Sequence, residues 1–270
     1  MSSKIEYVIF DLDGLLIDSE RVYTKVTNDI LAEYGKTMTW DIKAGLMGKP
    51  EREAAQHLLS FFPGLPLTID AYLKARDEAQ DRIWPTVQPL PGAVRLVQHL
   101  KAHGIPIAIA TGTRRRNLDL KTGHLPQLME CFGENIICAD DTISSTNIAA
   151  SSNPSAGEAA PSPRIKKGRG KPCPDIFLIA AHELLGRPVG LDEDDATEEA
   201  QGERAKGLVF EDAIPGVEAG KRAGMSVVWV PDAGLLEVEY PGPHKADETI
   251  RSLEDFVPEK WGLPPYPVDH

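Results

Sequence analysis

Short apolar runs that stop on polar or acidic residues recur along this chain, and helical periodicity fills the gaps between them. The runs are YVIF at 7–10, IPIAIAT at 105–111, NIICA at 135–139, GLVFED at 207–212 and SVVWV at 226–230. Apolar stretches of this length, bounded by turn residues, read as strands buried on both faces. Between them lie stretches with helical spacing: one opened by Pro91 and closed by Gly104, then 114–120, 174–185 and 216–223. Strands alternating with helices predict an α/β fold, a Rossmann-like doubly wound parallel sheet with right-handed crossovers. Ligands of such sheets bind beyond the carboxyl ends of the strands. Asp11, Thr111 and Asp212 all stand at those ends.

The first gap differs from the others. Val22, Val26, Ile30 and Leu31 keep a 3.6-residue period, and 51–62 and 68–84 read as two further helices. This predicts an inserted all-helical cap, 17–86, on an α/β core assembled from 1–16 and 87–270. Two segments fit neither part. Residues 141–169 are rich in Ser, Pro, Ala and Gly and end in a basic patch of Arg164, Lys166, Lys167 and Arg169. Residues 186–203 carry an acidic run from Asp192 to Glu203. Both are expected to be surface insertions, the acidic one a solvated loop. The final WGLPPY, 261–266, is expected to pack on the body.

Composition excludes several roles. The formal net charge is −12 with no basic stripe to offset it, so nucleic acid is not an expected partner. No apolar run approaches the ~20 residues that cross a bilayer, so no membrane association is expected, and the first residues lack a signal-peptide pattern. A cytoplasmic monomer is expected, the basic patch leaving a nuclear location open. Cys131, Cys138 and Cys173 form no CxxC pair, so free thiols are expected rather than disulfides or a zinc site.

Carboxylates at the end of a buried strand require an explanation, because burying one is expensive unless it is paired or binds a metal. An isolated Asp-x-Asp would read as a turn. Here Asp11 and Asp13 follow the first strand, Thr111 and Gly112 the second, Glu211 and Asp212 the fourth, and Lys171 precedes a helix. Phosphoryl transfer from a monoester needs a nucleophile, an acid for the leaving alcohol, cations for the phosphate oxygens and donors to place them. A carboxylate can be the nucleophile. Mg²⁺ can offset its charge and favours oxygen ligands. Lys171 supplies a second positive charge, and the Thr111 hydroxyl and Gly112 N–H can hold phosphate oxygens.

FDLDGLLIDSE, ATGT, GKPCPD and VFEDAIPGVEAGKRAGM, in that order, resemble the haloacid dehalogenase superfamily, phosphatase branch with an α-helical cap. LMGKPEREAAQHLL, HGIPIAIATGT, GKPCPDIFL and the WGLPPY tail are similar to pseudouridine-5′-phosphatase-like proteins within it. The resemblance implies Asp11 as nucleophile and Asp13 as general acid and base, with Thr111 and Lys171 on the phosphate. It implies Mg²⁺ held by Asp11, the Asp13 carbonyl and Asp212, with Glu211 assisting. Lys49 and Arg52 stand in the cap as candidate substrate contacts, against the alternative that they are exposed helix residues. The implied activity is Mg²⁺-dependent hydrolysis of a small phosphorylated metabolite, a sugar phosphate or nucleotide-like ester of the pseudouridine 5′-phosphate kind, through an aspartyl phosphate. The alternatives are a β-phosphoglucomutase-type phosphomutase, a glycerol or sugar phosphatase, and a catalytically silent binding module. Mutase relatives carry a cap histidine shortly after the Asp-x-Asp; this chain has Tyr23 there and no histidine before His57, which favours hydrolysis. The chain departs from the pattern in the insertion ahead of Lys171 and in Cys173, where relatives carry Asp or another polar residue. Asp11 and Asp212 are expected to disfavour a further charge on Asp13 and keep it protonated.

Overall fold

The computed structural model describes residues 4–46, 49, 51–141, 165–166, 168–194, 196–237, 240 and 242–267. Among the described residues six strands form one sheet: β1 (Tyr7–Phe10), β2 (Ile107–Thr111), β3 (Ile136–Cys138), β4 (Gly207–Glu211), β5 (Ser226–Trp229) and β6 (Glu248–Thr249). Their order is β3-β2-β1-β4-β5-β6 and every neighbouring pair is parallel. The chain winds outward from β1 in both directions, so the crevice at the switch point opens beside the carboxyl end of β1.

Alternation decides which side each strand residue serves. In β1, Val8 and Phe10 join one core, and Tyr7 and Ile9 join the core on the opposite face. Phe10 stacks on Phe210 of β4 at 5.0 Å and meets Phe132 edge-on at 5.9 Å. Such a strand, fully covered on both faces, carries no charged side chain until it leaves the sheet. Helices α5 (Ala93–Ala102), α6 (Arg115–Thr122), α7 (Pro126–Met129), α8 (Asp175–Ile179), α9 (Glu198–Arg204) and α10 (Ile214–Arg222) complete this part, α8 running on through a π-helical turn at Ala180–Leu184.

Between β1 and α5 the chain is helical: α1 (Ser19–Ala32), α2 (Trp40–Ala44), α3 (Glu51–Ser60) and α4 (Ile69–Ile83). The Thr68 hydroxyl caps α4 by accepting from Ala71 N at 3.2 Å. Helix α4 packs on α1, where Thr27 Oγ1 and the Tyr72 hydroxyl are hydrogen-bonded at 3.0 Å. The tail packs as expected. Leu263 is buried, Trp261 donates to Glu248 at 2.9 Å, and Tyr266 lies against His99 and under the Arg95 guanidinium. The three cysteines are free.

The acidic run is not a solvated loop throughout. Thr197 caps α9, accepting from Ala200 N at 3.2 Å, and Ala200 and Arg204 are buried. Arg204 donates to the carbonyls of Val189 (2.7 Å) and Asp192 (2.6 Å), so one cation ties down the acidic stretch through its backbone. Charge counting along the sequence missed this, because the cation follows the run rather than interrupting it. The ends of 141–169 are also built into the body, while 142–164 and 167 lie outside the described residues. Asp141 pairs with Arg115 and accepts from Cys138 N, and Ile165 is buried in the second core.

Candidate active site

The last ladder bond of β1, Asp11 N to Phe210 O at 3.0 Å, sets the Asp11 side chain at the carboxyl edge of the sheet. The chain then reverses at Gly14, whose φ is +75°, and its N–H donates to Ile17 O at 3.0 Å. A Cβ here would lie 2.3 Å from Asp212 Oδ2, so this glycine supplies both the backbone conformation and the space. From β4 comes Glu211, whose Oε2 accepts from the N–H groups of Asp212 (3.1 Å) and Ala213 (3.3 Å). Trp229 Nε1 donates to Asp212 O at 2.8 Å and fixes the following turn.

Asp11, Glu211 and Asp212 are buried, and each offers an oxygen within 4.8 Å of the others. Lys171 Nζ reaches into the cluster, donating to Asp11 Oδ1 (2.5 Å), Glu211 Oε1 (2.6 Å) and Ala110 O (3.1 Å). Burial works against its ammonium, yet Asp11 and Glu211 hold its pKa above the ordinary lysine value. Burial pushes Asp11 up to about 7 against the pull of Lys171, with Glu211 and Asp13 adding to the rise. Burial, Glu211 and Asp11 push Asp212 well above the usual carboxylate range. One ammonium among three crowded carboxylates leaves an excess of negative charge, the donor set a hard divalent cation suits.

The loop that carries Lys171 is held at two points. Arg169 forks onto Asp175 with both bonds at 2.6 Å. Arg222 of α10 donates to Pro172 O at 2.9 Å and forks onto Glu193 of the acidic stretch at 2.5 and 2.8 Å. The two segments expected to be mere surface insertions therefore meet at the support of this lysine.

Thr111 ends β2 buried, and its hydroxyl oxygen accepts from Thr113 N at 3.1 Å; Gly112 has open space where a side chain would stand. Lys49 is exposed, and Arg52 forms an exposed ion pair with Asp70 at 2.7 Å. Neither is among the groups brought together at the carboxylates.

Asp13 departs from expectation. The Lys121 ammonium donates to Asp13 Oδ1 at 2.6 Å, to Tyr23 OH at 2.9 Å and to Thr113 Oγ1 at 2.9 Å. Burial alone would raise the Asp13 pKa, but Lys121, with hydrogen bonds from Ser19 and Thr113, brings it below the usual value. The pairing with Lys121 thus favours the carboxylate form of Asp13, against the expectation that Asp11 and Asp212 keep it protonated. Lys121 carries a signal that could have been read: it falls three residues after Leu118, on the buried stripe of α6.

Gly216, in the first turn of α10, makes room for the Glu211 carboxylate; a Cβ there would stand 1.9 Å from Glu211 Oε1. Gly216→Ala is expected to destabilise the fold by about 1–3 kcal/mol and to lower any turnover at this site at least tenfold. Thermal melting and a turnover assay check this; wild-type values in both would contradict the placement of Glu211.

A family model described as haloacid dehalogenase-like hydrolase matches residues 5–224. An Arabidopsis thaliana protein, (DL)-glycerol-3-phosphatase 2, is 39% identical over 264 residues, covering 97% of this chain and 93% of its own. A Saccharomyces cerevisiae protein named as a probable pseudouridine-5′-phosphatase is 36% identical over 264 residues, 96% of this chain and 98% of its own. A crystal structure of a hydrolase of this family from Deinococcus radiodurans, with bound phosphate and sodium, superposes with a TM-score of 0.67 at 24% identity, covering 97% of this chain and 99% of that one. The chain belongs to the haloacid dehalogenase-like hydrolases.

Proposed function

We propose that this protein is a Mg²⁺-dependent phosphomonoesterase that acts on a small sugar phosphate, polyol phosphate or nucleotide-like ester through an aspartyl phosphate on Asp11. The observation that carries this reading is the buried Asp11, Glu211 and Asp212 cluster, with Lys171 bonded to two of its members at the carboxyl edge of the sheet. The relatives named for glycerol-3-phosphatase and pseudouridine-5′-phosphatase supply the substrate class.

Asp11, Asp212 and the Asp13 carbonyl would hold Mg²⁺, with Glu211 beside them. When bound, the ion neutralises the crowded carboxylates and polarises the phosphate oxygens. Lys171 places a fixed positive charge against Asp11, and Thr111 with Gly112 frames the phosphate. In the first half-reaction an Asp11 oxygen attacks phosphorus, the bond to the leaving oxygen breaks, and that oxygen takes a proton from Asp13, which must first gain that proton from solvent against the pull of Lys121. In the second, the Asp13 carboxylate takes a proton from water as the water oxygen attacks phosphorus. The bond from phosphorus to Asp11 then breaks and inorganic phosphate leaves. Paired with Lys121, Asp13 stands in the basic form that the second half uses.

Residues 17–86 are proposed to act as a cap over the core of 1–16 and 87–270. Ion pairs across the two support this: Arg116 with Asp81 at 2.6 Å, and Arg114 with Glu51 at 3.5 Å. A phosphomutase reading has less behind it. Burial pushes the Tyr23 hydroxyl up to about 12, and that hydroxyl accepts from Lys121, so it is a poor substitute for a cap base.

The test is hydrolysis of p-nitrophenyl phosphate with and without Mg²⁺, then of a panel including glycerol 3-phosphate and pseudouridine 5′-monophosphate. Because Asp11 sits near 7, protons compete with the metal below neutrality. Between about pH 8 and about pH 6 the Mg²⁺ concentration for half-activation is expected to rise at least about tenfold, since Asp212 is raised as well. Full activity in EDTA, or a half-activation value indifferent to pH, would contradict the metal assignment.

A further inference from the structure

A lysine with no exposed side-chain surface is expensive unless its charge is matched, and a buried pair by itself is weak support for stability. Lys121 stands on the buried stripe of α6, beside Leu118 and Thr122, where an apolar side chain of similar length would pack. The chain nevertheless keeps an ammonium there and gives each of its three N–H groups an acceptor. Asp13 Oδ1 comes from the turn after β1, Thr113 Oγ1 from the turn after β2, and Tyr23 OH from α1. The ring of Trp84, where the helical segment returns to the core, lies 4.5 Å from Nζ, and the ring of Tyr23 lies 5.1 Å away. Those two rings meet edge-on at 5.1 Å and form an aromatic wall for the cation.

Two of the hydrogen bonds thus belong to the core and one, with the aromatic wall, to residues 17–86. We propose that Lys121 is the positioning residue for Asp13, fixing its carboxyl for proton transfer and linking that placement to the seating of the helical segment through Tyr23. This rests on the reading of Asp13 as the acid and base. The arrangement gives the helical segment an effect on the chemistry distinct from covering the substrate: were α1 to withdraw, Lys121 would lose one acceptor and part of its aromatic wall, and Asp13 a fixed anchor.

A double-mutant cycle tests the proposal. Lys121→Met preserves length and removes the charge. It is expected to lower kcat about a hundredfold, the effect of displacing a reacting group by about an ångström, with KM for p-nitrophenyl phosphate within about threefold. In an Asp13→Asn background the same substitution is expected to change kcat by no more than about twofold, because the residue it acts through has already lost its function. Tyr23→Phe is expected to lower kcat about tenfold in the wild type and to have no further effect in Lys121→Met. The Asp13→Asn, Lys121→Met double variant lacks both charges and keeps the comparison possible if Lys121→Met alone fails to fold. A Lys121→Met enzyme within about threefold of wild type would overturn the proposal. So would a loss as large in the Asp13→Asn background as in the wild type, the signature of a purely structural lysine. Wild-type turnover by Asp13→Asn alone would instead overturn the acid-and-base reading on which the proposal stands.

Discussion

Asp11→Asn is expected to abolish turnover, by at least about a thousandfold or roughly 4 kcal/mol of barrier, while the protein still folds. The amide nearly matches the carboxylate in shape but is a poor nucleophile, and it would offer the proposed Mg²⁺ a weaker ligand. The fold should tolerate the change because the carboxylates are in excess. Burial and neighbouring Glu211 and Asp13 already disfavour charge on Asp11, and Lys171 keeps Glu211 as a partner when that charge is removed. Steady-state assays and thermal melting check both halves of the statement. Turnover within about tenfold of wild type would contradict the assignment of the nucleophile.

Asp13→Asn is expected to fail differently. The amide can neither give a proton to a leaving alkoxide nor take one from water. An alkyl phosphate needs the first transfer, so its turnover should fall by about 10²–10⁴-fold. p-Nitrophenolate leaves without much help, so with that ester the first half-reaction should persist and the second should stall. The expected trace is a burst of p-nitrophenol close to one equivalent per site, followed by slow turnover. Equal losses for both esters with no burst would contradict Asp13 as the shared acid and base. The pairing with Lys121 sharpens this expectation, because it favours the carboxylate form that the stalled step requires.

The sheet was largely legible in the sequence. β1 occupies the expected residues, and the other expected runs shorten only at their ends, where the last ladder bonds give way to turns. Their periodicity is that of strands covered on both faces, and apolar content alone betrays them. β6 was not legible: Glu248–Thr249 has no apolar run and is a strand only because β5 offers an edge to it. Helix α9 was hidden inside an acidic stretch, since its one buried cation, Arg204, follows the acids and bonds to backbone carbonyls. Asp11, Glu211 and Asp212 converge because strand ends converge, which the alternating pattern already implies, and Lys171 joins them from the loop before α8. The charge environment of Asp13 was not legible in the sequence. The sequence places it beside other acids, while its strongest partner is a lysine more than a hundred residues away, brought in by α6. Lys49 is exposed and Arg52 is paired to Asp70, and a part for either in substrate contact stays a proposal.

The central claim is a covalent phosphoryl group on Asp11, and the most direct measurement of it is to find that group. Asp13→Asn enzyme mixed with p-nitrophenyl phosphate and Mg²⁺, quenched in acid during the burst and digested, can be mapped by mass spectrometry. The account predicts a phosphorylated peptide spanning Asp11, formed in step with the burst and absent from the Asp11→Asn variant. Phosphate released with no phosphoryl-enzyme at any quench time, or a phosphoryl group found on another residue, would contradict it.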